Sequence, residues 1–207
     1  MFRRSFYRTH GKRVFDAAGA GLLLLMLAPV MAVVALLLRL FLGSPVLFVQ
    51  LRPGLMGKPF RLFKFRTMTD ERDALGDILP DASRMTTLGA ALRRLSLDEL
   101  PELFNVVRGE MSLVGPRPWL TEYLPLYSAE QRRRHDVRPG LTGLAQIAGR
   151  NSLEWQAKLR LDTEYVDKLS FGLDLRILAK TVGAVLGRRG INQDGFATAD
   201  KFRGDSS

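Results

Sequence analysis

The sequence has no cysteine and only two histidines among 207 residues. Disulfide frameworks, thiolate nucleophiles and cysteine-based metal sites are excluded, and imidazole chemistry has little to draw on. Any catalysis must rest on carboxylates and cations. Acid is scarce at one end as well. Residues 1–66 hold eleven Lys and Arg against one acidic residue, Asp16, whereas residues 67–207 hold twenty of each sign, so the first third carries the whole net charge of +10. A nucleic-acid binder would spread such charge over a groove-reading helix or an aromatic-bearing sheet. A basic collar beside an apolar segment points instead to anionic membrane lipids, and nucleic acid is not expected as a partner. There is no internal repeat and no low-complexity linker. The length, with 46% hydrophobic residues, suits one domain with a real core plus one peripheral element.

That element is the run AAGAGLLLLMLAPVMAVVALLL, residues 17–38, which holds no charge over 22 positions. At 1.5 Å per residue it is long enough to cross about 30 Å of hydrocarbon. It is too long for a cleaved signal peptide and lacks a small-residue cleavage site. A spanning helix and a helix that enters and returns remain. Pro29 removes a backbone hydrogen bond at the centre of the run and marks a kink there. Arg3, Arg4, Arg8, Lys12 and Arg13 precede the run, and Arg39, Arg52, Lys58, Arg61, Lys64 and Arg66 follow it, so both ends read as cytoplasmic. Each half is too short to span alone. These features favour a re-entrant helix, with Ser5 and Ser206 both on the cytoplasmic face.

The remainder reads as α+β, mainly helical. VLFVQ and PFRLFKFRTM flank a Gly/Pro-rich connection and predict a small β-hairpin. Residues 69–87 are polar and predict a loop with one or two helical turns. Ser96 and Glu99 fit a capping box that opens a helix to about Arg108, ended by Gly109, although Pro101 is awkward for that register. A second box, Ser128 to Gln131, opens a short basic helix. Trp155, Leu159, Asp162, Val166 and Leu169 mark one helical face, with Asp162 on its apolar stripe. In LDLRILAKTVGAVLGRRG, apolar residues recur at 175, 178, 182 and 185 with basic residues between them. That pattern fits an interfacial amphipathic helix or one packed on the core.

The chemistry concentrates in LRRLSLDELPELFNVVRGEMSLVGPRP, residues 92–118. Asp98 and Glu99 in a first helical turn would be stabilised as anions by unpaired N–H groups. Such a carboxylate can bind Mg²⁺ together with a substrate's phosphates, or attack phosphorus or carbon. Arg93, Arg94, Arg108 and Arg117 could neutralise phosphate oxygens bidentately, with Pro116 and Pro118 limiting how far Arg117 wanders. Helix caps and solvated arginines account for the same residues without any function, and Asp162 equally suits a buried ion pair.

Five motifs in order, KRVFDAAGAGLLLLMLAPV, QLRPG, FKFRTM, RRLSLDELPELFNVVRGEMSLVGPRP and RPGLTGLAQIAGRN, resemble the bacterial sugar transferase family, the monotopic polyprenyl-phosphate phosphoglycosyl transferases. The tail GINQDGFATADKFRG is similar to small members that start glycan assembly with acetamido sugars, including diacetylbacillosamine-phosphate transferases. The resemblance implies transfer of a sugar 1-phosphate from a UDP-sugar to undecaprenyl phosphate at the cytoplasmic face of the bacterial inner membrane, with Mg²⁺. It implies that Asp98 is the nucleophile and a metal ligand and that Glu99 assists, with deprotonation of the acceptor as one form that assistance could take. Arg93, Arg117, Pro116, Pro118, Arg138 and Asp162 would then serve the phosphates and nucleotide. It implies a membrane segment over residues 1–42 and a catalytic domain over 43–207. Where many relatives have Ser-Pro at the kink, this chain has Ala28-Pro29, with no hydroxyl to satisfy the backbone. Two other readings fit the residues alone: a Mg²⁺-dependent diphosphate hydrolase and a non-enzymatic membrane scaffold.

Overall fold

In the computed structural model, described over residues 6–149, 153–186 and 202–204, the apolar run lies within one helix, α1 (Lys12–Phe41), entered through a π-helical turn over Tyr7–Gly11. Helical geometry continues through Pro29, which can donate no bond to the preceding turn. After α1 come the hairpin β1 (Leu47–Pro53) and β2 (Pro59–Phe65), and then the helices α2 (Asp81–Arg84), α3 (Thr87–Arg94) and α4 (Glu102–Arg108). Strand β3 (Ser112–Val114) and helix α5 (Ala129–Arg132) lead to β4 (Gly140–Thr142), α6 (Leu144–Ala148), α7 (Trp155–Lys168) and α8 (Phe171–Leu186). The mainly helical α+β expectation and the small hairpin are both met.

Helix α1 lies along the rest of the molecule. Its buried residues, Lys12, Asp16, Ala20, Val34 and Leu38, recur at helical spacing, with Leu24, Leu27 and Met31 partly buried between them. Towards its start, Ala20 joins the main core with Leu103, Val106, Met111, Leu113, Tyr165 and Ile177. Towards its end, Val34 and Leu38 pack with Phe65 and Leu92. The opposite face exposes Leu22, Leu25, Met26, Val33, Leu36, Leu40 and Phe41, among others, at 57–76%. An exposed apolar surface of that size marks an interaction face, and the helix is long and apolar enough to enter a membrane.

The start of α1 is tied down by polar groups. Lys12 Nζ is 2.7 Å from Asp174 Oδ2, which also accepts from Tyr7 Oη at 2.6 Å. Asp16 Oδ1 accepts from the Leu113 backbone N–H, and Arg13 donates to the Val106 and Val107 carbonyls at the end of α4. Helix α8 carries both faces anticipated for it. Asp174 and Ile177 are buried, while Phe171, Leu175 and Val182 are exposed beside Arg176 and Lys180. The buried positions fall between the expected ones, because Asp174 rather than an apolar residue anchors the inner face.

Two local expectations need correction. The Ser128–Gln131 capping box forms, but the one at Ser96 does not: Ser96 adopts φ 56° and its hydroxyl caps nothing. The helix foreseen from Leu97 is a 3₁₀ turn, Leu97–Glu99, followed by α4, because Pro101 sits at the α4 N-cap and the Glu99 carboxylate is drawn to cations elsewhere. Gly109, at φ 82°, ends α4 as expected. Helix α3 was not foreseen at all. Its cap is Thr86, whose hydroxyl accepts from Gly89 N–H. Gly89 is obligatory there, since a Cβ would lie 1.9 Å from the Thr67 carbonyl oxygen.

Candidate active site

The Leu97–Glu99 turn, strand β2 and the loop after β3 bring their charged side chains to one place. Lys64 is in phase with the buried Phe60 and Leu62, so the pleat of β2 points it inward. Its ammonium lies 2.7 Å from Glu99 Oε1 and 3.1 Å from Glu102 Oε1. Arg117 Nη2 reaches the same Glu99 oxygen at 2.5 Å. Glu99 therefore joins two cations, and Lys64 joins two carboxylates.

Arg117 leaves the end of a parallel strand pair, β3 with β4, the edge at which open α/β sheets commonly bind ligands. The crossing is tight: a Cβ on Gly140 would lie 2.0 Å from the Gly115 nitrogen. Only glycine allows the Gly115-Pro116-Arg117-Pro118 loop to pass so close. Beneath it Arg134, which is buried, donates to the Arg117 carbonyl at 2.5 Å and pairs with Asp162 at 2.7 Å. Asp162 is thus placed under the loop, in the buried ion pair that the sequence left open, and reaches Arg117 only through Arg134. Arg138 donates to the Gly109 carbonyl, at the far end of α4 from Asp98 and Glu99. Arg93 stands at the end of α3, its Nε donating to Thr67 Oγ1 at 3.0 Å, and its charge bears on Asp98.

Asp98 itself is buried at 8% exposure, yet among the described residues no hydrogen bond or ion pair holds its carboxylate. Burial raises its pKa above the usual carboxylate value, and the Glu99 charge adds to this against the opposing pull of Lys64, Arg93 and Arg117. Its neighbour behaves oppositely. Burial would raise Glu99 too, but the charges of Arg117 and Lys64 and their hydrogen bonds outweigh it and hold Glu99 far below the usual range. One carboxylate is clamped as an anion while the adjacent one is left without a partner.

Sequence reasoning passed over three members of this cluster. Lys64 was legible as a lysine in phase with the inward residues of a strand. Glu102 follows Glu99 by three positions, so helical spacing could have paired them. Arg52, on β1, has a buried Nε with no partner, and its pKa is lowered to about 10 by burial and by the charge of Arg117 beside it. Guanidinium groups are the side chains best matched to phosphate oxygens, so Arg52 and Arg117 are candidates to bind an anion.

No group of three or more potential metal ligands exists among the described residues. A Mg²⁺ ion, which keeps several waters and takes one or two carboxylates plus substrate phosphate, does not require such a group. Asp98, unpaired, fits as such a ligand, whereas Glu99 and Glu102 are engaged by Lys64.

The model of the family described as "Bacterial sugar transferase" matches residues 7–188. The chain is 54% identical over 193 residues to the "Uncharacterized sugar transferase EpsL" of Bacillus subtilis (strain 168), covering 93% of this chain and 96% of that one. It is 40% identical to the "Exopolysaccharide production protein ExoY" of Rhizobium meliloti (strain 1021), over 86% of this chain and 87% of the relative. With the "UDP-glucose:undecaprenyl-phosphate glucose-1-phosphate transferase" of Caulobacter vibrioides it shares 42% identity, over 84% of this chain and 69% of the relative.

Proposed function

Since the chain belongs to the bacterial sugar transferase family, we propose that it is a phosphoglycosyl transferase that moves a sugar 1-phosphate from a UDP-sugar to undecaprenyl phosphate, yielding undecaprenyl-diphosphate-sugar and UMP. The observation that carries this reading is the partnerless Asp98 carboxylate beside a Glu99 clamped by Lys64 and Arg117. A carboxylate already paired with arginine would be a poor nucleophile. One held close to cations without touching them can attack a diphosphate that those cations bind.

In the first step an Asp98 oxygen bonds to the sugar-bearing phosphorus, and the bond from that phosphorus to the bridging oxygen breaks, so that UMP leaves with that oxygen. In the second, a phosphate oxygen of the polyprenol attacks the same phosphorus and the bond to Asp98 breaks, restoring the carboxylate. Arg117, Arg52 and Arg93 offset the charge of the phosphates, which lowers the repulsion met by an anionic nucleophile. Mg²⁺, when bound by Asp98 and the donor phosphates, would supply further neutralisation of developing charge. Glu99, held far below the usual range, is a weak base, so its assistance is to fix Lys64 and Arg117 rather than to take the acceptor's proton.

The tail's likeness to acetamido-sugar enzymes makes an N-acetylated amino sugar the expected donor. Most of that tail lies outside the described residues. Glucose, for which the Caulobacter relative is named, is the competing donor. Purified protein in detergent with Mg²⁺, tested with UDP-glucose, UDP-galactose, UDP-N-acetylglucosamine and UDP-diacetylbacillosamine, decides both points. Lipid-linked product formed only with polyprenol phosphate supports transfer. Free sugar phosphate released at the same rate with and without acceptor would make the protein a hydrolase instead. Silence with every donor would favour the scaffold reading.

A further inference from the structure

Glu102 is the third carboxylate of the cluster and the most fully enclosed, at 2% exposure. It sits on the first turn of α4, and its carboxylate is 3.1 Å from the same Lys64 ammonium that Glu99 holds at 2.7 Å. Every other charge that faces it belongs to the site: Glu99 from the Leu97–Glu99 turn, Arg117 from the loop after β3, and Arg52 from β1. Among the described residues, Lys64 is the one group that pairs with the Glu102 carboxylate. A buried acid with one shared cation is not built for stability alone, since a glutamine or a leucine would avoid the cost of burying a third negative charge.

We propose that Glu102 is a positioning residue for sugar-phosphate transfer, competing with Glu99 for Lys64 and so setting how much positive charge the site presents to the donor's diphosphate. This rests on the transferase reading above. When Glu102 carries a proton, Lys64 belongs to Glu99 alone, and the site is more positive by one unit. When Glu102 ionises, Lys64 is divided between the two carboxylates and the diphosphate meets one more negative charge nearby. Burial first, then the Glu99 charge, push the Glu102 carboxyl up to about 7 against Lys64 and Arg117, so the exchange falls within the physiological range. Glu102 differs in this from both neighbours in the dyad. Glu99 stays ionised throughout, and Asp98 makes the covalent bond.

The sign follows directly. Below the Glu102 midpoint the donor binds better, and above it binding weakens. A UDP-sugar's diphosphate is fully ionised between pH 6 and pH 8, so the donor itself contributes no titration there.

The test measures the rate of the single burst of UMP released from UDP-sugar and Mg²⁺ without acceptor, from pH 6 to pH 8, for wild type, Glu102→Gln and Lys64→Met, with KM read as the donor concentration that half-saturates the burst rate. In wild type the KM for the donor should rise by about threefold or more across that range, as expected for one added charge near the phosphates. Glu102→Gln should remove the rise, leaving KM at its low-pH value across the range. Lys64→Met should also remove the rise, but with KM high throughout. A Glu102→Gln profile that overlays wild type would overturn the inference. Because a buried substitution can disturb folding, Glu102→Asp is measured alongside; a folded, active Glu102→Asp that keeps the rise, with its midpoint moved, supports the inference, and one with the rise abolished overturns it. If wild type releases no UMP at any pH from any donor, the transferase reading itself has failed, which is a separate outcome.

Discussion

Asp98→Asn abolishes transfer: product formation should fall by about 10³-fold or more, as expected when a covalent nucleophile is replaced by an isosteric amide. The loss should come without loss of fold, because no hydrogen bond or ion pair holds the Asp98 carboxylate among the described residues. The thermal midpoint of the variant should match wild type or exceed it, since a raised carboxyl pKa marks a charge that burial disfavours. Glu99→Gln should behave differently. It removes the anion that Lys64 and Arg117 share, leaving both cations less well placed but Asp98 chemically intact. A weak residue of transfer is expected there, measurable as slow formation of lipid-linked product. Wild-type turnover in Asp98→Asn would remove the covalent mechanism and leave Asp98 a buried acid with no part in the chemistry.

Labelling of engineered cysteines should be all-or-none with respect to sidedness. Helix α1 touches the same body towards both of its ends, through Ala20 with Leu103 and Val106 and through Leu38 with Phe65 and Leu92. A helix that spanned the bilayer would leave the body after one contact and surface on the other side. With both flanks basic as well, the proposed arrangement keeps both ends of α1 cytoplasmic and sets its exposed apolar face in lipid. Thr9, before α1, and Leu75, exposed at 88% in the polar loop, can be changed to cysteine without background, because the chain has none. Neither should react with an impermeant maleimide in intact spheroplasts, and both should react once the membrane is opened. Labelling of the Thr9 variant from outside would establish a spanning helix.

What the sequence disclosed depended on how local the cause was. The hairpin, the Ser128 cap, Gly109 and the face of α7 follow from spacing within a few residues, and they are where expected. The Ser96 box failed because Glu99 had a stronger partner far along the chain in Lys64 and Arg117. Helix α3 was hidden because its short apolar stripe sits in a polar stretch, with Thr86 as its one strong signal. Within the site, Asp98, Glu99, Arg93 and Arg117 were legible because the charged residues stand in one segment. Lys64, Glu102 and Arg52 were not, because their roles arise from packing β1 and β2 against the turn that holds Asp98 and Glu99. Asp162 shows the converse: its place on an apolar stripe was read correctly, and its partner, Arg134, could come only from the fold.

The covalent step is the centre of the account, and intact-protein mass spectrometry after rapid quenching tests it most directly. Protein incubated with its UDP-sugar and Mg²⁺, without polyprenol phosphate, should gain the mass of one sugar phosphate while releasing an equal amount of UMP. Peptide mapping should place the addition on Asp98, Asp98→Asn should show none, and adding polyprenol phosphate should clear it. Lipid-linked product formed at full rate with no adduct at any quench time would contradict the mechanism and point to direct transfer between the two substrates.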